Sequence, residues 1–377
     1  MPSKASHNNL YIGMISGTSR DGVDTALVSF TNKHPKILYS MCAPYPPDLA
    51  DSLQDMIETG QRPAANELEK MDDRLGDFFS QVVQALLEKA GMEPSAVTAI
   101  GSHGQTVWHD PGGTHPESIQ LGNPQHIAGN TGIVTVGDFR RADIEAGGQG
   151  APLAPLLHRA LFKPESGTRV ILNLGGIANI SILDSDGTVS GFDTGPANCL
   201  LDGWIREQRG EPYDKEGAWS AGGEVNKLLL LNLLMDPWFK KPPPKSTGVE
   251  HFNLQWLKKQ ELVNSIDPRD VQATLAQLTA STVASAIAPP RPADVLVCGG
   301  GAHNTDLIRR LQDLLPESLV LSTAEHGLDP DWVEAVLFAW LARERLAGNA
   351  QDTHKITGAS QPILLGRVFS SSNYWKI

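Results

Sequence analysis

Residues 169–193 read RVILNLGGIANISILDSDGTVSGFD. RVILNL, ISILD and TVSGFD are short runs rich in apolar and β-branched residues, separated by the turn-forming stretches GGIAN and SDG. That is the pattern of a three-stranded antiparallel meander. The chain makes the same statement earlier: LYIGMIS from Leu10, the turn GTSRDGVD, then TALVSF and KILYSMCAPY. Each meander gives way to alternating helical and strand-like segments. After the first, Leu68, Met71, Leu75, Phe78, Val82, Leu86 and Ala90 recur at intervals of three and four, one face of a long helix. AVTAIG, GIVTVGDF and a helix near 152–163 follow. After the second meander come helices near 196–208, 221–234 and 269–288, then ADVLVCGG, a helix near 304–315, SLVLST and a last helix. The last helix carries Val333, Val336, Leu337, Trp340 and Leu341 on one stripe, with Asp329 and Pro330 expected as N-cap and first-turn residue.

Strands that read as continuous apolar runs are buried on both faces, which requires helices on both sides of a largely parallel core. The expected fold is therefore α/β, with two duplicated lobes, each a mixed sheet flanked by helices. Residues 1–9 are expected to be a disordered tail, 10–168 the first lobe and 169–377 the second, with the last helix and tail able to pack back on the first.

Composition narrows the partners. Hydrophobic residues make up 40% and charged residues 20%, and 36 Gly with 26 Pro point to many tight turns in a globular chain. A net charge of −12 without a basic stripe opposes nucleic acid and anionic membrane, so a bound anion must be held by local groups. No run of about 20 apolar residues offers a membrane span. MPSKASHNN lacks the apolar stretch of a signal peptide, and the three cysteines, Cys42, Cys199 and Cys298, have no metal-type spacing. A reducing, cytoplasmic setting is expected.

Ligands of open α/β sheets collect beyond the carboxyl ends of the strands. Three glycine-bearing loops fall there: Gly17 to Asp24 after the first strand, Gly175, Gly176 and Asn179 in the second meander, and Gly299, Gly300 and Gly301 after VLVC. A tight hairpin accounts for any one of them. Together they can surround a polyphosphate with backbone amides, and Asp21 or Asp24 can hold the accompanying magnesium. No GxGxxG opens a helix, and PPPKSTG (242–248) lacks the glycine frame of a P-loop. In GFDTGPAN (191–198), Asp193 ends a strand beside the second glycine turn, either as a turn former or as a general base. SHGQTVWHDPGG (102–113) suits a hydrogen-bonding substrate wall better than a metal site. In GDFRRAD (137–143), Arg140 or Arg141 can clamp a carboxylate or serve a surface salt bridge.

GMISGTSRDGVD, SHGQTVWH, GDFRRADI, GGQGAPL, LNLGGIANIS, FDTGPAN, KSTGVEHFN and VCGGGAHN, in this order from about residue 10 to 370, resemble the anhydro-N-acetylmuramic acid kinase family. Two positions depart from its pattern: Arg20 stands where an apolar residue is usual, and Val249 where Arg usually follows KSTG. The resemblance implies the duplicated, ribonuclease H-like fold of sugar kinases, actin and Hsp70, with ATP, Mg2+ and the sugar in the inter-lobe cleft. It implies opening of the 1,6-anhydro bridge by water with phosphorylation of O6, in cell wall recycling. It assigns Asp193 as the catalytic base. Gly17, Thr18, Ser19, Arg20, Asp21, Gly22, Val23 and Asp24 would form the first phosphate loop, with Asp21 holding magnesium, directly or through water. Gly175, Gly176 and Asn179 would form the second phosphate loop, and Gly299, Gly300 and Gly301 would lie near the adenosine. Ser102, Gln105, Asp138, Arg140 and Glu334 would contact the amino sugar, Arg140 taking its lactyl carboxylate. A homodimer is implied by the resemblance alone. A plain hexose kinase and a nucleotide-gated binding protein are the competing readings.

Overall fold

The structure, a computed structural model, describes residues 9–17, 22–32, 34–287 and 292–371. Its strands are β1 (Leu10–Ser16), β2 (Gly22–Ser29), β3 (Lys36–Pro44), β4 (Ala99–Asp110), β5 (Glu117–Leu121), β6 (Thr135–Gly137), β7 (Thr168–Leu174), β8 (Ile177–Asp184), β9 (Val189–Pro196), β10 (Asp294–Cys298), β11 (Leu319–Ser322) and β12 (Arg367–Phe369). One sheet has the order β12-β6-β4-β1-β2-β3, with β5 paired to β4; the other has the order β11-β10-β7-β8-β9.

The repeat read in the sequence is a repeat of topology. β1, β2 and β3 pair antiparallel, and β4 then β6 add parallel on the far side of β1. β7, β8 and β9 pair antiparallel, and β10 then β11 add parallel on the far side of β7. Parallel neighbours need a crossover. Helix Ala65–Ala90 precedes β4, helix Pro124–Thr131 precedes β6, helix Pro268–Ala286 precedes β10 and helix Thr305–Leu314 precedes β11.

The first compact unit contains the residues up to Leu157 and those from Trp332 on; the second runs from His158 to Asp331. This partition sets the boundary at Leu157/His158 rather than at 168/169 and puts the last helix with the first unit, an arrangement that the 10–168 and 169–377 reading had left open. The physical reason lies in helix Val333–Ala347, which is buried almost all round: Val333, Ala335, Val336, Leu337, Phe338, Ala339, Trp340, Leu341 and Ala342 all lack significant exposure. Such a helix needs cover on more than one side. It lies directly on β1 and β4, because Gly13 and Gly101 carry no side chain. A Cβ on Gly13 would sit 1.7 Å from the Ala335 carbonyl oxygen, and one on Gly101 1.9 Å from that of Phe338. The helix begins after Trp332 with no side-chain cap, so Asp329 and Pro330 are not its cap and first turn; the Asp329 carboxylate instead accepts from the Asp331 amide.

Helix Ala65–Ala90 adds Met71, Leu75, Phe79, Val82, Val83 and Leu86 to the core formed with Ile12, Met14 and Ile100. Met71, Leu75, Val82 and Leu86 of the expected stripe are buried, while Leu68, Phe78 and Ala90 are only partly so and Phe79, Val83 and Leu87 widen the buried face. Burying each large apolar side chain contributes about 1.5–3 kcal/mol. Asp143, fully buried, ties the end of the chain into the same unit. Its carboxylate accepts from the Gly150 amide at 2.7 Å and from the Thr353 and Thr357 hydroxyls at 2.6 and 2.8 Å. In the second unit, Ala280 and Val283 pack with Leu307 and Leu311 on Val170, Leu172 and Val295. A second cluster joins helices Asn198–Arg209, Lys227–Leu234 and Pro268–Ala286 through Leu201, Trp204, Leu229, Leu233 and Leu275.

Candidate active site

In the second unit the strand register aligns four residues in one row: Cys298 opposite Asn173, Asn173 opposite Asn179, and Asn179 opposite Asp193. Directly opposed residues share a face, so β10, β7, β8 and β9 present this row side by side. It lies at the carboxyl ends of β7 and β10, where α/β sheets bind ligands.

The turn from β7 to β8 consists of Gly175 and Gly176. Their carbonyls accept from the amides of Asn198, Ala197 and Cys199 at 3.0–3.1 Å, which fastens helix Asn198–Arg209 under the turn. The first amides of that helix are thereby consumed, while no hydrogen bond takes up the Gly175 or Gly176 amide among the described residues. The remainder of the expected turn, Ile177 to Asn179, is already strand.

Glycine at these positions is not demanded by the chain itself. A Cβ on Gly175 would meet nothing nearer than 3.7 Å, one on Gly176 nothing nearer than 3.8 Å (Val249), and one on Gly300 only Asn198 Nδ2 at 3.9 Å. Gly299 and Gly301 differ. Gly299 has φ +78° with Asn173 Oδ1 at 2.4 Å from its Cβ position, and a Cβ on Gly301 would lie 2.5 Å from Leu174 Cβ. Two of the loop's glycines are thus explained by packing, whereas Gly175, Gly176 and Gly300 leave open ground over the backbone.

Asp193 is pinned from the KSTG segment. Its amide donates to the Lys245 carbonyl at 3.0 Å, and Oδ2 accepts from the Thr247 amide at 2.9 Å. Its carboxyl is pushed up to about 6, first by desolvation and further by Glu250, against the lowering effect of the Thr247 bond. A half-buried carboxylate with a pKa of about 6 suits a proton acceptor at neutral pH. Lys245 is held with Nζ 3.1 Å from the Phe239 carbonyl and over the Trp238 ring.

In the first unit, Thr18, Ser19, Arg20 and Asp21 lie outside the described residues, as do residues 1–8 of the expected tail. Gly17 follows β1. Gly22 is forced by packing, since a Cβ would sit 2.3 Å from the Ala43 carbonyl oxygen, and the Val23 side chain is core rather than loop. Among the described residues no group of three or more His, Cys, Asp or Glu side chains is arranged to hold a metal. Magnesium that travels with phosphates needs only one or two protein carboxylates; Asp24, read as part of the loop, lies on β2 opposite Ile15.

The expected sugar contacts separate into two groups. Ser102 pairs with Met14 on the core face, 2% exposed, its hydroxyl without a partner among the described residues. Gln105 is spent on the Ser16 hydroxyl and the Thr106 carbonyl. Asp138, with φ +55°, is engaged by Arg141 at 2.7 Å and Arg367 at 3.6 Å. Gln105 and Asp138 are thus engaged by protein partners, whereas the Ser102 hydroxyl is not. Arg140 and Glu334 act on each other electrostatically. Burial lowers the Arg140 guanidinium to about 10 while Glu334 opposes that shift. Desolvation and Asp24 raise the Glu334 carboxyl, and Arg140 lowers it. Glu334 keeps exposed surface at the start of its helix. His103 is on β4, which runs through SHGQTVWHD and takes β5 as antiparallel partner from Gln105 on. Asn173, Asn198 and Thr247 were not singled out in the sequence; an Asn closing an apolar strand before a Gly-Gly turn is the one signal that pointed there.

The family model described as anhydro-N-acetylmuramic acid kinase matches residues 9–371. A protein of Vibrio cholerae serotype O1 named anhydro-N-acetylmuramic acid kinase is 47% identical over 364 residues, covering 96% of this chain and 98% of its own. A protein of the same name from Xanthomonas campestris pv. campestris is 45% identical over 368 residues, with the same coverage. Among solved structures, Acidaminococcus fermentans (R)-2-hydroxyglutaryl-CoA dehydratase component A is a distant likeness, 10% identical with a TM-score of 0.47 over 90% of this chain and 99% of that one. The family model spans residues 9–371 and both relatives are matched over 98% of their length, so the chain belongs to the anhydro-N-acetylmuramic acid kinase family.

Proposed function

We infer that the protein uses ATP to phosphorylate O6 of 1,6-anhydro-N-acetylmuramic acid while water opens the anhydro bridge, giving N-acetylmuramic acid 6-phosphate and ADP. The observation that carries the site assignment is the pairing of unforced glycines with a tuned carboxylate. Gly175, Gly176 and Gly300 leave backbone accessible to a bulky anion, and Asp193, with its carboxyl at about 6, shares a row with Asn179.

Asp193 accepts a proton from water as the water oxygen bonds to the anomeric carbon. The bond from that carbon to O6 breaks, and O6 takes the γ-phosphoryl group, releasing ADP. Because phosphorus rather than a proton captures O6, the second carboxyl group of an ordinary inverting glycosidase is not required. The Thr247 amide keeps Oδ2 oriented. Gly175 and Gly176 supply amides to the phosphates, and Gly300 gives the adenosine side of the nucleotide close access to the backbone. Magnesium neutralises charge on the triphosphate when bound, with Asp24 and the undescribed Asp21 as its candidate carboxylates. Arg140 receives the lactyl carboxylate, with Glu334 beside it. A cytoplasmic homodimer is inferred from the family resemblance, and no described helix is long and apolar enough to cross a membrane.

Asp193→Asn tests the central assignment. Turnover is expected to fall by about 10²- to 10⁴-fold, the usual range for general-base catalysis, with ATP binding by calorimetry unchanged. Near-normal turnover would remove Asp193 from the base role.

A further inference from the structure

We propose that His103 is a positioning residue for Arg140: a neutral imidazole that fixes the guanidinium through its Nε2 lone pair and so sets selectivity for a sugar bearing a carboxylate. The inference rests on the reading that Arg140 receives that carboxylate.

Arg140 Nη2 lies 2.9 Å from His103 Nε2. A guanidinium has only donors, so Nε2 must accept and the ring proton must reside on Nδ1. Nδ1 lies 3.0 Å from the Gly104 carbonyl oxygen, the acceptor such a tautomer requires. Gly104 has φ +82°, and a Cβ there would sit 2.5 Å from the Leu121 carbonyl oxygen, so the backbone that offers this carbonyl admits only glycine. The ring itself is clamped. It packs on Phe338 with centroids 4.7 Å apart, and Phe338 packs on Phe139 at 5.3 Å. His103 is 7% exposed, and burial together with Arg140 holds its pKa well below the usual histidine range, in agreement with a permanently neutral ring.

The consequence lies at Nε, the donor that shares the side-on edge of the guanidinium with Nη2. Arg140 Nε is buried and has no hydrogen-bond partner among the described residues. An unsatisfied buried donor on a charged group is costly, and an incoming carboxylate removes that cost. With Nη2 held by His103, the plane of the fork is set before the ligand arrives, so little of arginine's rotamer entropy is lost on binding. The group recognised is a carboxylate carried by an ether side chain of the sugar, and an analogue lacking it should gain nothing from His103.

Two measurements test this. In steady-state kinetics, His103→Phe keeps the ring stacking but removes the acceptor, and is expected to raise KM for the anhydro sugar about tenfold or more while leaving KM for ATP unchanged. His103→Gln, whose side-chain oxygen reaches close to the Nε2 position, is expected to restore most of the loss. Binding of the carboxylate-free analogue, 1,6-anhydro-N-acetylglucosamine, should be unaffected by either change; an equal loss for both sugars, or no rescue by Gln, would overturn the positioning role. Nitrogen NMR of the wild-type protein with labelled histidine provides a readout that needs no variant: a proton on Nδ1 across the pH range of folding is expected, and a proton on Nε2 refutes the proposal. Arg140→Ala separates the two layers. If that variant keeps normal sugar affinity, the assignment of Arg140 fails on its own; if it loses affinity and His103→Phe does not, only the present inference fails.

Discussion

Adding one methyl group at Gly176 should impair nucleotide use without harming the fold. The Cβ of Gly176→Ala would find its nearest neighbours, Val249 Cγ1 and Cys199 Cβ, at 3.8 and 3.9 Å, which is ordinary van der Waals contact. The backbone is not left-handed there, so alanine fits unstrained. An alanine that fits stabilises by about 0.4–1 kcal/mol, by restricting the unfolded chain. Thermal unfolding should therefore show an unchanged or slightly raised Tm. If a phosphate approaches this amide, the methyl group occupies its path and one charge-assisted hydrogen bond is lost, about 1.5–3 kcal/mol. That is about a ten- to hundredfold rise in Kd for ATP, measured by calorimetry. Gly300→Ala should behave alike, since its Cβ meets only Asn198 Nδ2 at 3.9 Å. Gly301→Ala is the contrasting control: its Cβ would lie 2.5 Å from Leu174 Cβ, and overpacking of that kind costs about 1–3 kcal/mol of stability. Unchanged ATP affinity in both Gly176→Ala and Gly300→Ala would refute the reasoning, because nothing in the protein would then account for the open backbone.

The pH dependence follows from Asp193. Its carboxylate is the active form and its carboxyl is raised to about 6, so kcat/KM should rise with pH through about 6 and then level off. Glu250→Gln removes a like charge that raises Asp193 and should move this limb to lower pH; a limb that stays in place contradicts the assignment. Gly101→Ala, whose Cβ would lie 1.9 Å from the Phe338 carbonyl oxygen, should cost more than the usual 1–3 kcal/mol of overpacking, visible as a large fall in Tm or loss of soluble protein.

The strands of both meanders were legible because β1, β2, β7 and β8 are continuous or near-continuous apolar runs bounded by turn residues. Glycine residues in mid-strand carried more than was taken from them. Gly13 and Gly101 mark where helix Val333–Ala347 lies on the first sheet, and this long-range contact moves the domain boundary. β12 was not read, because three residues pairing with β6 from more than 200 positions away leave no local pattern. SHGQTVWHD was read as a substrate wall without an assigned element; it is strand, and β5 pairs with it from Gln105 to Asp110. The glycine turns were found from turn chemistry; Asp193 was read as ending a strand, whereas β9 runs on to Pro196 and holds Asp193 opposite Asn179. Gln105 and Asp138 could not be sorted from Ser102 by residue type, since what distinguishes them is whether each side chain has already taken a partner.

The most direct test of the account is mass spectrometry of the product formed from anhydro-N-acetylmuramic acid and ATP in oxygen-18 water. The account predicts one heavy oxygen at the anomeric position of the sugar 6-phosphate, none in the transferred phosphoryl group, and loss of this product with Asp193→Asn. A phosphorylated sugar with its bridge intact, or heavy oxygen found only in inorganic phosphate, would contradict it.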